Sequence, residues 1–392
     1  MKYGLAQLST AHRLDAGAEY DRVCVCAYAQ RKKMRVSSVR ASLSSRLKPS
    51  LPNQPLKFSN ISSAPTPVRL QTPLFLNPAD YRATLSDLKK WHLWARGLAS
   101  SVGTKFLDLD NGPDSALLHR ELNWLIEDSL EDPITLLSDN SDDSLVVPLR
   151  ACLDDLYMLW NQRIEGRRPF QYLVGCEHWR DLVLSVQEGV LIPRPETELI
   201  VDFVSDVTKE NEVLREGLWA DLGTGSGALA IGIGRILGSC GGVIATDLSP
   251  VSVAVASYNV QRYSLQDRVA IKQGSWFEPL KDDEGKFAGI VSNPPYIPSE
   301  DIGRLQAEVG RHEPKLALDG GADGMNDLLH ICNGAASMLR PGGFFAFETN
   351  GEKQSNFLVD CIGSQSEGRF CDVKVASDFA GIKRFVTGYR AG

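Results

Sequence analysis

The chain has 392 residues, 43% of them hydrophobic, with a formal net charge of −7. That length predicts two domains and a tail, with enough apolar content for packed cores. No stretch approaches the roughly 18 unbroken apolar residues of a membrane span, so we expect a soluble protein with no membrane partner. The charge is uneven. Residues 22–79 hold ten Lys or Arg and no acid, whereas residues 80–392 hold 30 basic and 46 acidic side chains. So acidic a body repels a phosphate backbone, and direct nucleic-acid binding is not expected. The eight cysteines are scattered with no CxxC pair, and the six histidines show no HxxxH or HExxH spacing. No metal site is therefore expected.

Residues 1–79 are expected to be a disordered N-terminal transit peptide and linker. The stretch Met34-Arg35-Val36-Ser37-Ser38-Val39-Arg40-Ala41-Ser42-Leu43-Ser44-Ser45-Arg46 is basic, Ser-rich and free of acid. It looks like an organelle address, chloroplast rather than mitochondrion. Asp15, Glu19 and Asp21 fit such an address less well, which suggests Met34 as the working start.

Residues 80–165 read as a small helical bundle. Tyr81 to Ser101 carries Leu85, Leu88, Trp91, Leu93, Trp94 and Leu98 near a 3.6-residue period. Ser115 to Leu130 is a second helix, with Asp114 as its cap. Leu149, Leu153, Leu156, Trp160 and Ile164 form a third stripe, and the acidic segment Ser138–Asp143 is a loop between helices. Core packing is expected of these stripes. Residues 166–192 read as a β-hairpin linker built from Tyr172–Gly175, Leu182–Val186 and Val190–Ile192.

From residue 193 to 392, strands alternate with helices. Leu218–Leu222, Gly242–Asp247, Arg268–Lys272, Phe287–Ser292 and Gly343–Glu348 are predicted strands. Glu196–Val207, Ser226–Leu237, Pro250–Tyr263 and Asp327–Leu339 are predicted helices. Cys371–Ala376 and Lys383–Tyr389 close the sheet as an antiparallel pair. This pattern predicts an α/β fold with a mostly parallel, doubly wound sheet.

Two loops carry chemistry. Asp221-Leu222-Gly223-Thr224-Gly225-Ser226-Gly227 follows the first strand of the sheet. Its glycines let the backbone turn tightly and a ligand approach. The G-x-G-x-G spacing is not the G-x-G-x-x-G of dinucleotide enzymes. Asp247 ends the second strand, 20 residues past Gly227, where an acid can accept from both hydroxyls of a ribose. No phosphate-binding Lys accompanies the loop, which suits S-adenosylmethionine. Asp221 could meet the ammonium of its methionine part, or could brace the loop. Trp276 could cover the adenine, or could be a core tryptophan. Asp247 could instead cap the following helix.

Asn293-Pro294-Pro295-Tyr296 ends an apolar run, 66 residues after Gly227. An amide or aromatic amine nitrogen conjugates its lone pair and attacks poorly; the amide rotation barrier of about 18–20 kcal/mol sets the scale. The Asn293 side-chain oxygen and the Pro294 carbonyl could accept its two hydrogens, and Tyr296 could offer a flat face. Proximity and alignment can supply roughly 7–11 kcal/mol, so no strong base is needed.

Four motifs together resemble the protein N5-glutamine methyltransferases of class I peptide chain release factors. They are Arg167-Arg168-Pro169-Phe170-Gln171-Tyr172-Leu173-Val174-Gly175, Leu191-Ile192-Pro193-Arg194-Pro195-Glu196-Thr197-Glu198, the glycine loop, and Asn293-Pro294-Pro295-Tyr296-Ile297-Pro298. Glu313 to Gly321 also matches. The resemblance implies a Rossmann-like, seven-stranded methyltransferase domain behind a helical domain that helps to recognise the release factor. It implies that Asp221, Gly223, Thr224, Gly225, Ser226, Gly227, Asp247, Trp276 and Asn293 bind S-adenosylmethionine. Asn293, Pro294, Pro295 and Tyr296 would hold the glutamine of a Gly-Gly-Gln loop, and Pro193 to Glu198 would wall the site. Glu196 could cap a helix, with Arg194 paired to it. Ser275 stands where relatives often have an acid, and Glu348-Thr349-Asn350-Gly351 is less typical. A monomer is expected. A nucleic-acid amino methyltransferase of the N6-adenine type and a non-catalytic binder of the same donor remain alternatives. The first would need a basic face, and the second a damaged Asn-Pro-Pro-Tyr tetrad.

Overall fold

The computed structural model describes residues 68–131, 142–365 and 368–392. The stretch expected to be a transit peptide, up to residue 67, lies outside these, as does most of the acidic loop at 138–143. Leu70–Trp179 and Val183–Gly392 form one compact unit.

The first part of that unit is helical with a short ribbon. β1 (Tyr81–Thr84) leads into α1 (Leu85–Val102), then α2 (Lys105–Asp110) and α3 (Ser115–Ser129). β2 (Val146–Leu149) precedes α4 (Leu153–Ile164). Thr84 caps α1 by accepting from the Asp87 N–H, and Asp114 caps α3 by accepting from Leu117 N–H at 2.8 Å. Leu85, Leu88, Trp91, Ala95 and Ala99 of α1 pack on Leu118, Leu122 and Leu125 of α3 and on Leu156 and Trp160 of α4. The Trp160 indole N–H donates to the Ala95 carbonyl, 2.9 Å away. Two expectations fail here. Tyr81–Thr84 is a strand, because it pairs antiparallel with Val146–Leu149, a distant partner that local periodicity cannot reveal. Leu93 faces outward, 74% exposed.

The linker also differs in detail. Tyr172–Gly175 is not a strand. Residues Phe170–Val174 form α5, bounded by Pro169 and by Gly175 at φ 74°. Four of its five side chains are buried, so tertiary contact overrides their β-like composition. The hairpin is β3 (Cys176–Trp179) with β4 (Leu182–Ser185). Val190–Ile192 makes no strand, since the Ile192 N–H donates to the Glu313 carboxylate instead of to a ladder.

α6 (Glu198–Glu210) and α7 (Glu212–Arg215) open the catalytic half. β5 (Leu218–Leu222), α8 (Ala228–Ile236), β6 (Gly242–Asp247), α9 (Pro250–Arg262), β7 (Val269–Gln273) and β8 (Phe287–Ser292) follow. Then come α10 (Ala307–His312), α11 (Asn326–Met338), β9 (Leu339–Glu348), α12 (Glu352–Gln365), β10 (Phe370–Ser377) and β11 (Lys383–Arg390). The seven strands run in the order β10-β11-β9-β8-β5-β6-β7, with β11 antiparallel to both its neighbours and the other pairs parallel. This is the expected Rossmann-like sheet. Every residue of β8 is buried, as a central parallel strand requires.

The strand order reverses between β5 and β8, and in open α/β sheets ligands bind outside the carboxyl ends of the strands at such a point. Leu222 pairs with Ser292 in register, and the Ser292 hydroxyl donates to the Leu222 carbonyl at 2.7 Å. The glycine loop and Asn293 therefore leave the sheet side by side. Among the described residues no helix is long and apolar enough to cross a membrane, and no group of side chains is arranged to hold a metal.

A buried ionic cluster ties the helical part to the segment beyond β8. Arg163 of α4 donates to Glu121 of α3 at 2.6 Å and to Glu308 of α10 at 2.9 Å. Arg167 donates to both oxygens of Glu308 at 2.6 Å and to Asp110 of α2 at 2.9 Å. Burial alone would raise Glu308, but Arg167 and Arg163 together hold its carboxyl below the usual range. Breaking such a pair by removing one partner typically costs about 3–5 kcal/mol, because the other charge stays buried. The Arg167-Arg168-Pro169 motif thus fixes how the helical bundle sits on the catalytic half.

Candidate active site

One pocket opens at the sheet's switch point. Gly223, Thr224, Gly225, Ser226, Asp247, Ser275, Trp276, Asn293 and Pro295 lie on its wall. Leu191 and, from the Pro-Arg-Pro-Glu-Thr-Glu run, Pro193, Arg194 and Thr197 enclose it on one side, and Pro314, Leu316 and Asp327 from beyond α10.

The loop after β5 is held from below. The N–H groups of Gly223 and Thr224 both donate to the Thr246 carbonyl. Gly225 and Gly227 adopt φ of 56° and 86°, a region that favours glycine. A Cβ on Gly225 would meet nothing within 4 Å, so its backbone lies open to the pocket. Asn259 of α9, fully buried, donates to the Ser226 and Ser185 carbonyls and ties the loop to β4.

Asp221 is fully buried and absent from the wall. Its Oδ2 accepts from the Thr224 hydroxyl at 2.6 Å and the Ala230 N–H at 3.0 Å, so it braces the loop. Its Oδ1 has no partner among the described residues, and the same holds for the buried Ser226 hydroxyl. Burial pushes the Asp221 carboxyl up to about 7. Asp247 accepts from Gly225 N–H at 2.8 Å and Ser249 N–H at 2.9 Å. It is not the helix cap, because Ser249 fills that position on α9. Burial raises its carboxyl as well. Trp276 lies at φ 45° and its ring covers Gly223, where an added Cβ would come within 3.2 Å. It faces the pocket and also packs on the catalytic core.

On the opposite wall the Asn293 amide donates to the Thr197 hydroxyl at 2.9 Å. No donor among the described residues reaches Asn293 Oδ1 or the Pro294 carbonyl. Gly227, Pro294 and Tyr296 are not on the wall. Tyr296 does not present its face there; its ring packs on the core, and its buried hydroxyl needs a partner, which it finds in Glu348 at 3.1 Å. Arg194 and Glu196 each have a partner elsewhere. Arg194 donates to Glu313 at 2.6 Å, while Glu196 lies 3.7 Å from Arg384. Glu313 also accepts from Ile192, so two of the sequence motifs meet at one carboxylate.

The family described as "Methyltransferase small domain" matches residues 199–308. The release factor glutamine methyltransferase of Synechocystis is 36% identical over 307 residues, 77% of this chain and 95% of that protein. That of Gloeobacter violaceus is 43% identical over 241 residues, 62% and 81% of the two chains. The chain belongs to the release factor glutamine methyltransferase family. It is a methyltransferase. A SAM-dependent O-methyltransferase structure from Thermotoga maritima aligns over 53% of this chain and 68% of its own, with 15% identity and a TM-score of 0.35.

Three polar residues in or beside this family member's site escaped the sequence reading: Asp327 at the start of α11, Asn259 and Glu348. Thr197 lies on the wall expected of Pro193 to Glu198, but its hydrogen-bond partners were not foreseen. Asp327 and Asn259 lie on amphipathic helices, where a polar residue carries no local signal. Glu348 ends an apolar strand, and a carboxylate there was the available clue.

Proposed function

We propose that the protein methylates the side-chain nitrogen of the glutamine in the Gly-Gly-Gln loop of a class I peptide chain release factor. The observation that carries this is an unengaged acceptor on the pocket wall, Asn293 Oδ1, followed in the chain by the unengaged Pro294 carbonyl, beside a glycine loop that leaves its backbone open. S-adenosylmethionine is the methyl donor and supplies an activated sulfonium methyl. The residues present fit it. The unpartnered Asp221 Oδ1 suits an ammonium group, the Asp247 carboxylate on the pocket wall suits ribose hydroxyls, and Trp276 supplies an aromatic wall.

The chain's own part is alignment. The acceptors take both hydrogens of the carboxamide, fix the plane of the group and aim the nitrogen at the methyl carbon. The N–C bond forms as the S–C bond breaks. The nitrogen, briefly cationic, is then acidic and gives up its proton to water, so no strong base is required. Leu316, 58% exposed at the rim, gives an incoming loop an apolar edge. The helical part, locked by Arg163 and Arg167, is a rigid platform for the rest of the factor.

Tritiated S-adenosylmethionine with purified release factor tests this reading. Label is expected on the wild-type factor and not on a factor whose tripeptide glutamine is replaced by alanine. Label that ignores the replacement would reject it. We further propose that the protein works in an organelle, the chloroplast before the mitochondrion, on the basic Ser-rich character of residues 34–79. A mature N-terminus before about residue 30 contradicts that address.

A further inference from the structure

Glu348 closes β9 with no exposed surface. Its Oε2 accepts from the Thr197 hydroxyl at 2.7 Å, and its Oε1 from the Tyr296 hydroxyl at 3.1 Å. A hydroxyl carries one hydrogen, and an ionised carboxylate only accepts. The Thr197 hydrogen is therefore committed to Glu348, and the Thr197 oxygen can only accept from its other neighbour. That neighbour is the Asn293 side chain, 2.9 Å away. Asn293 must then present its NH2 to Thr197 and its carbonyl oxygen to the pocket.

We propose that Glu348 is a positioning residue for methyl transfer, setting the Asn293 amide through Thr197 so that an acceptor, not a donor, faces the substrate nitrogen. This rests on the reading of Asn293 Oδ1 as an acceptor for the glutamine N–H. The same carboxylate holds Tyr296, so one buried charge fixes both polar side chains of the Asn-Pro-Pro-Tyr tetrad.

The arrangement has a polarity that a proton can reverse. A protonated Glu348 becomes a donor through one oxygen. It can give its hydrogen to Thr197, Thr197 can give its own to Asn293, and the amide then turns its NH2 into the pocket. The substrate NH2 would meet a donor. Burial pushes Glu348 up to about 7. The groups facing it are Glu196 ahead of α6, which acts with burial, and Arg384 of β11, Thr197 and the Tyr296 hydroxyl, which oppose it. Arg384 is itself held by Asp378 at 2.7 Å. The ionised form is the competent one, so the rate is expected to rise as pH passes upward through about 7.

The test measures single-turnover transfer to the release factor across pH, with donor affinity followed by calorimetry. Glu348→Gln, whose amide permits the reversed chain, should lose up to about 10²-fold in rate. It should also lose the acidic limb of the profile and bind the donor as the wild type does. Thr197→Ser should keep most of the wild-type rate, whereas Thr197→Val, matched in shape but without the hydroxyl, should fall as Glu348→Gln does. This second pair decides the matter should Glu348→Gln not fold. A folded Glu348→Gln with the wild-type rate and pH profile, or equal rates for Thr197→Val and Thr197→Ser, overturns the proposal. If those variants and the wild type all label the factor normally, only the relay fails. If the wild type labels nothing, the reading of the site beneath it fails first.

Discussion

Asn293→Ala is expected to lower the rate of methyl transfer by about 10²–10³-fold, the usual cost of removing one preorganised hydrogen-bonding group from a reacting centre. The glutamine nitrogen gives its lone pair to the carbonyl, and nothing in the pocket supplies a strong base. In the proposed reading, positioning falls to Asn293 Oδ1 and the Pro294 carbonyl, which no donor among the described residues reaches. The fold should persist, because Asn293 makes one side-chain hydrogen bond, to Thr197, at the edge of the pocket. Asn293→Asp should not rescue the rate. It keeps an acceptor but has no N–H for Thr197, and it sets a second carboxylate near Glu348 across that one hydroxyl. Single-turnover labelling with thermal unfolding as a control checks both variants. Near-normal turnover by Asn293→Ala would contradict its assigned role.

The sheet was legible because its strands are short apolar runs separated by amphipathic helices. Leu218–Leu222, Gly242–Asp247 and Phe287–Ser292 fall where composition put them. β9 begins earlier than expected, at Leu339, since pairing of Leu339 with Phe287 extends it through Pro341 and two glycines. The β1–β2 ribbon was hidden because its two strands lie more than 60 residues apart in the chain. In the site, residues announced by turn chemistry line the pocket: Gly223, Gly225, Asp247 and Asn293, though not Gly227. Residues whose meaning is a hydrogen-bond partner were not. Thr197 and Glu348 become informative only when folding brings them within 2.7 Å. Tyr296 shows the same limit from the other side. Its aromatic ring suggested a stacking face, but its hydroxyl, not its ring, settles where it points.

Asp247→Ala is expected to weaken S-adenosylmethionine binding on the order of 10²–10⁴-fold. Two charge-assisted hydrogen bonds to ribose hydroxyls are worth about 1.5–3 kcal/mol each, and each 1.4 kcal/mol is tenfold in affinity. The carboxylate already accepts from Gly225 and Ser249, one backbone N–H on each oxygen. The Ser252 side chain bonds the carboxylate as well, so of about four lone-pair sites one is free and a second opens when the Ser252 hydroxyl turns away to admit a ligand. Alanine removes those two and also releases Gly225, whose open backbone forms the floor of the pocket. Asp247→Asn should be nearly as damaging, for its single oxygen can serve only one of the two backbone donors, and its NH2 would be turned against the other. Calorimetric titration with the donor checks both. The unfolding midpoint without donor should move little in either variant, because Ser249, not Asp247, caps α9. An affinity close to wild type in Asp247→Ala would mean that the ribose lies elsewhere and that this acid serves the loop alone.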